Sequence, residues 1–157
     1  MDITIRKWQL SDYAAIAGLF SQVHQLHQAN RSDIYSDSDT PFSEDTFTNI
    51  LGNPQNIPLL AEVDMEVVGL SLLTLRAPSK NPLLLPQKVA YMDVLAVHAK
   101  HRKLGIEKKL FEAARREALA TGYDRLELMV WCFNAPAIDF YKKLRMTERS
   151  IIMEMDL

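Results

Sequence analysis

At 157 residues and a formal net charge of −2, the chain has the length of one domain with one well-buried core, and it lacks the basic surplus of a nucleic-acid surface. Apolar residues make up 48% and charged residues 24%, an ordinary globular balance, and no apolar run approaches the ~20 residues of a membrane span, so no membrane partner is expected. The opening MDITIRKWQL lacks the apolar centre of a secretory signal, and Cys132 is the only cysteine; this excludes an internal disulfide and a cysteine metal cluster, and predicts a buried thiol in a reducing, cytoplasmic compartment.

Ile3 and Ile5 alternate with Thr4 and Arg6, the pattern of a short first strand. Ser11-Asp12 supplies a helix N-cap signal before a helical repeat through Ile16, Leu19, Phe20, Val23 and Leu26. From Gln28 to Thr40 the pattern gives way to Asn, Ser, Asp and Thr, which is loop chemistry. Ser43-Glu44-Asp45 opens a second, shorter helix carrying Phe47, Ile50 and Leu51, and Gly52-Asn53-Pro54 ends it. Leu59–Val63 and Val67–Leu75 flank Asp64-Met65-Glu66 and predict a hairpin.

After a loop bounded by Pro78 and Pro86, Lys88–His98 reads as a long strand. Strict alternation puts Tyr91, Asp93, Leu95 and Val97 on one face and Met92, Val94 and Ala96 on the other. A helix from about Gly105 to Thr121 follows, with Ile106, Leu110, Ala114 and Ala118 on one side and Gly122 as its stop. Arg125–Trp131 is predicted as a strand, Ala135–Lys143 as a short helix and Arg149–Leu157 as a final strand. Without a linker or internal repeat, the order β-α-α-β-β-β-α-β-α-β predicts one mixed α/β domain over residues 1–157.

The segment from Val94 to Leu110 carries the strongest chemical signal. It is a strand, a basic turn with Lys100, Arg102, Lys103 and Lys108, and the start of an amphipathic helix. The unpaired N–H groups and positive dipole end of such a helix suit a pyrophosphate. Arg102-Lys103-Leu104-Gly105-Ile106-Glu107 resembles the acetyl-CoA signature of the GNAT acyltransferases, in which Arg or Gln is followed by x-x-Gly-x-Gly/Ala. Asn134 and the Phe140-Tyr141-Lys142-Lys143-Leu144 run resemble the family's late asparagine and its FY-x-x-L helix, and Ile5-Arg6 followed by Asp12 is similar to its opening elements. Three positions depart from the pattern: Glu107 replaces the final small residue, Lys103 an earlier glycine, and Arg145 a glycine after the last helix.

The resemblance implies a largely antiparallel mixed sheet flanked by helices and splayed between the fourth and fifth strands. It implies an N-acetyltransferase that moves an acetyl group from acetyl-CoA to a primary amine of a small molecule or peptide, without a metal. Cofactor contacts would come from Leu95, Ala96, Val97, Arg102, Lys103, Leu104, Gly105, Ile106, Glu107, Lys108, Asn134 and Tyr141. Leu95 would donate its N–H to the oxyanion, Tyr141 would protonate the leaving sulfur, and Asp93 would accept the amine proton through water. Packing is the other reading of Tyr141, helix capping of Asn134 and plain solvation of Asp93.

Asp33, Asp37, Asp39, Glu44 and Asp45 against Arg31 give the acceptor side an acidic rim, which suits a cationic amine or is simply turn chemistry. His24 and His27 lack a third metal ligand and read as helix surface. A catalytically weak CoA-binding regulatory module of the same fold, prompted by Glu107 and the missing glycines, is the rival expectation. A homodimer is the default oligomeric expectation.

Overall fold

Residues 2–157 are described by the structure, a computed structural model. In chain order they form β1 (Thr4–Lys7), α1 (Tyr13–Asn30), α2 (Glu44–Gly52), β2 (Asn56–Val63), β3 (Glu66–Arg76), β4 (Val89–Val97), α3 (Ile106–Ala120), β5 (Arg125–Leu128) and α4 (Ala135–Lys143). One sheet runs β1-β2-β3-β4-β5, antiparallel except for the parallel β4–β5 pair. Asp64 and Met65 both take positive φ, 50° and 66°, which is the backbone twist a tight hairpin between β2 and β3 demands.

Two boundaries differ from the sequence reading for physical reasons. A single 3-10 turn, Leu10–Asp12, precedes α1, and the buried Asp12 caps it by accepting from the Gln9 N–H at 2.7 Å. Arg6 grips the same carboxylate with two donors at 2.7 and 2.9 Å and also reaches Glu62, so β1, β2 and the start of α1 share one guanidinium. This pairing holds the Asp12 carboxyl below its ordinary range. At the other end α1 continues to Asn30, into the stretch predicted as loop.

The predicted strand Arg149–Leu157 does not form, and β5 stops at Leu128 rather than Trp131. A strand needs a hydrogen-bonding neighbour, and residues 147–157 have none among the described residues.

The sheet is buried on both faces. Against α3 lie Leu59, Ala61, Leu73, Leu75, Ala90, Met92 and Val97, meeting Ile106, Leu110, Ala114 and Ala118 as the helical spacing predicts. Against α1 and α2 lie Leu60, Leu70, Leu72 and Ala96, with Trp8, Ile16, Leu19, Phe42 and Phe47. Burying each of the Leu, Ile, Val, Phe and Met side chains among these is worth roughly 1.5–3 kcal/mol. Gly69 lets β3, β4 and α3 approach closely, because a Cβ there would stand 3.0 Å from the Ala96 carbonyl oxygen and 3.1 Å from Leu110.

Two features of β4 position the site. Its pairing with β5 covers only Val89–Met92 against Arg125–Leu128, so from Asp93 onward the two strands part. On the other side, pairing with β3 steps from Leu73↔Met92 to Leu72↔Val94, leaving Asp93 as the extra residue of a β-bulge.

Candidate active site

The bulge corrects one expectation directly. Asp93 and Leu95 were expected on one face, but the extra residue breaks the alternation. Leu95 packs against the α3-side core. Asp93 accepts from Thr74 Oγ1 at 2.6 Å, and Thr74 points away from that core because its neighbours Leu73 and Leu75 point into it. The exposed Asp93 therefore sits with Thr74 and Asn56 on the α1–α2 face.

The open half of β4 presents backbone to the gap. The His98 N–H donates to Val68 O at 2.8 Å, so His98 points its amide at β3. Alternation then turns the amides of Leu95 and Val97 away from β3, toward the side β5 has left. Gln22 of α1 closes the strand's end: its Nε2 donates to Val97 O at 3.1 Å and its Oε1 accepts from the Ala99 N–H at 2.9 Å. Nothing in the helical pattern marks Gln22, and sequence reasoning missed it.

Past Val97 the chain makes a short 3-10 turn at Ala99–His101 and enters the basic loop. Arg102, Lys103, Leu104 and Gly105 are exposed, and Arg102 Nε donates to Val97 O at 3.4 Å. Lys103 and Gly105 both have positive φ, 63° and 81°, which curls the loop into the start of α3. Gly105 is the N-cap and offers no side-chain bond, so among the described residues the N–H groups of Ile106, Glu107 and Lys108 keep their hydrogens unpaired. The Ile106 side chain is fully buried and leaves only its amide for a ligand. Glu107 is half-buried and has no ion-pair partner among the described residues, while Lys108 is exposed. Free amides, a dipole end and exposed cations fit a pyrophosphate.

Tyr141 packs on the α3 side of the sheet, as Leu95 does. It is half-buried in α4, packs with Leu95 against the same core, and lies 6.2 Å from the Phe111 ring. Burial pushes its hydroxyl up to about 12, so it holds its proton at neutral pH. Its carbonyl accepts from the Met146 N–H at 3.1 Å while the Arg145 N–H donates to Lys142 O at 2.9 Å, the two bonds of a Schellman ending. That motif needs a left-handed residue, and Arg145 supplies it at φ 67° in the position where the family pattern carries glycine. Asn134 caps α4, with Oδ1 accepting from the Ala137 N–H at 3.3 Å.

An aromatic group that sequence reasoning also missed joins α1, the α1–α2 connection and the β5–α4 connection. Trp131 Nε1 donates to the Tyr35 hydroxyl at 3.0 Å, Trp131 stacks with Phe133, and His27 contacts both Tyr35 and Phe133. Arg31 lies 5.0 Å over the Trp131 ring and pairs with Asp33 and Glu154. Burial, aided by His24, lowers the His27 pKa. His24 and His27 thus belong to a packed cluster rather than to bare helix surface; the signal was an aromatic run placed directly before Asn134. Cys132 between those rings is exposed, contrary to the expectation of a buried thiol, because its neighbours take the inward positions.

Among the described residues no helix is long and apolar enough to cross a membrane, and no group of His, Cys, Asp and Glu could hold a metal. The chain is similar over 98% of its length to a single-substitution mutant of the BH1408 protein from Bacillus halodurans, with 28% identity, 99% of that chain covered and a TM-score of 0.95. It shares its fold with a glucosamine-6-phosphate N-acetyltransferase from Arabidopsis thaliana (17% identity, 99% of each chain, TM-score 0.71). An aminoglycoside acetyltransferase, meta-AAC0020, from an uncultured soil metagenomic sample also shares it (18% identity, 99% of this chain and 96% of that one, TM-score 0.69). Among curated proteins none matches in sequence. The sequence pattern of the acetyltransferase (GNAT) family matches residues 20–145, a span that runs from α1 through the open half of β4, the basic loop and α3 to the last turn of α4, and on this ground the chain belongs to that family.

Proposed function

We infer that the chain transfers an acetyl group from acetyl-CoA to a primary amine of a small molecule or peptide. One observation carries the reading: the unpaired half of β4 runs through a short basic turn into an α3 whose first amides are free, and Leu95 of that half packs against the same core as Tyr141. In this scheme the pyrophosphate of CoA rests on the amides of Ile106–Lys108 with Arg102 and Lys103 beside it. Leu104 and Gly105 shape the turn, and Asn134 contributes its free amide nitrogen. The pantetheine arm runs beside Leu95, Ala96 and Val97, taking the place of the departed strand.

The neutral amine attacks the thioester carbon, and the carbonyl oxygen gains negative charge that the Leu95 N–H meets. Such a donor is worth roughly 3–4 kcal/mol of barrier. Collapse breaks the C–S bond, and the sulfur takes the proton of Tyr141. A water chain ending at Asp93 removes the proton the amine must lose, from the α1–α2 face of the sheet.

The exposed Asp37, Asp39, Glu44 and Asp45 favour a cationic acceptor, since Arg31, the cation nearest them in sequence, is already neutralised by Asp33 and Glu154. The exposed thiol of Cys132 accords with a reducing, cytoplasmic compartment.

Calorimetric titration with acetyl-CoA, followed by a panel of cationic, neutral and anionic amines, tests the reading. Micromolar binding and acetylation of cationic amines is the expected result, with Tyr141→Phe losing on the order of 10²-fold or more in kcat while binding is retained. Binding without turnover on any amine would instead identify a regulatory CoA-binding module. No binding would overturn the reading altogether.

A further inference from the structure

The bulge on β4 gathers three polar side chains on the sheet face away from α3. Thr74 of β3 stands opposite Asn56 of β2 and Tyr91 of β4 in the ladder, while Asp93 has no opposite residue on β3. Released from the register, Asp93 turns its Oδ2 to within 2.6 Å of the Thr74 hydroxyl, the length of a hydrogen bond to an ionised carboxylate. The same hydroxyl oxygen lies 3.2 Å from Asn56 Oδ1. Arg76, two residues further along β3, lies 3.5 Å from the centre of the Tyr91 ring, so a hydroxyl and not this cation grips Asp93.

The Asn56 amide has one consistent orientation. Its nitrogen donates to Ile50 O at 3.1 Å, and a carbonyl only accepts, so the amide oxygen is the atom turned to Thr74. A threonine hydroxyl carries one hydrogen, and this one stands between two acceptors. Ionised Asp93 takes that hydrogen. Once Asp93 carries a proton on Oδ2, every link is filled: Asp93 donates to Thr74, Thr74 to Asn56, and Asn56 to Ile50 O. Rotation of one hydroxyl passes between the two arrangements, so the same three side chains serve both charge states of the carboxyl.

We propose that Thr74, backed by Asn56, is a positioning residue for proton removal and holds Asp93 in place as the acceptor. This role rests on the acetyl-transfer reading above, in which water links the amine to Asp93. An exposed aspartate left alone spreads its carboxylate over several rotamers, and a base acts only while it is within reach of its proton. The Thr74 bond fixes Oδ2 and leaves Oδ1 for the water. The ammonium gives one proton to that water, the water gives one to Asp93 Oδ1, and the amine keeps its electron pair. The neutral carboxyl then turns its O–H to Thr74, whose own hydrogen swings to Asn56.

Steady-state kinetics with acetyl-CoA and the panel amine acetylated fastest, beside calorimetry of acetyl-CoA binding, test this. Thr74→Val keeps the side-chain shape and should lower kcat about 10-fold, with the Kd of acetyl-CoA and the KM of the amine unchanged within about 2-fold. Thr74→Ser restores the hydroxyl and should bring kcat back to within about 3-fold of native. On an Asp93→Ala background, itself down on the order of 10²-fold, Thr74→Val should have no further effect. Native kcat in either Thr74→Val or Asp93→Ala overturns the proposal. So does a loss that persists undiminished on the Asp93→Ala background, or one that Thr74→Ser shares, because the hydroxyl then does not act through Asp93. A native chain that acetylates no amine overturns the acetyl-transfer reading itself, and this role falls with it.

Discussion

The two halves of β4 share one strand and do opposite work. From Val89 to Met92 the strand has a neighbour on each side, and Ala90 and Met92 are buried in the core. From Asp93 to Val97 it has a strand neighbour only in β3, and the amides of Leu95 and Val97 have no ladder partner. The first half is structural by its completeness, and the second is available for chemistry because bonds a sheet would normally make are withheld. The bulge at Asp93 marks the junction.

Leu95→Pro is the sharpest way to break this comparison. It removes an N–H that no ladder bond uses, so the sheet should survive while kcat falls about 10²–10³-fold, as read by steady-state kinetics and circular dichroism. Unfolding instead would show that the Leu95 amide is structural. In the paired half, Met92→Ala should do the reverse, costing about 2–4 kcal/mol of stability in urea unfolding with kcat nearly unchanged. Gly69→Ala probes the β3 side of the open half. A methyl facing the Ala96 carbonyl at 3.0 Å should cost about 1–3 kcal/mol, and a neutral result would mean that this end of β4 yields. The smallest effect is expected across the gap. Arg145→Gly relieves a left-handed residue at the end of α4 and should raise stability by about 1 kcal/mol, leaving the Tyr141-dependent step intact.

Most of the strands, the β2–β3 hairpin and all four helices were legible in the sequence, because periodicity and stop signals such as Gly122 are local properties. The opening between β4 and β5 followed from family resemblance and not from the residues themselves. The bulge escaped notice because strict alternation admits no extra residue, and Asp93 was therefore assigned to the wrong face. The strand expected at Arg149–Leu157 does not form, because alternation alone cannot say whether a neighbouring strand is there to bond it. Gln22 and the Tyr35–Trp131–Phe133 group depend on contacts between segments far apart in sequence, which no local pattern encodes. Lys103 and Arg145, noticed only as missing glycines, turn out to be residues held at positive φ.

The double bond from Gln22 to the end of β4 has a mechanical consequence. One side-chain amide grips Val97 O and the Ala99 N–H together, so α1 cannot slide at this point without breaking both bonds or dragging the strand end along. The helix that carries His27 and ends at Arg31 is thereby geared to the strand that carries Leu95. Whatever ligand shifts one of them does work on the other, and by thermodynamic reciprocity the influence has the same size in both directions.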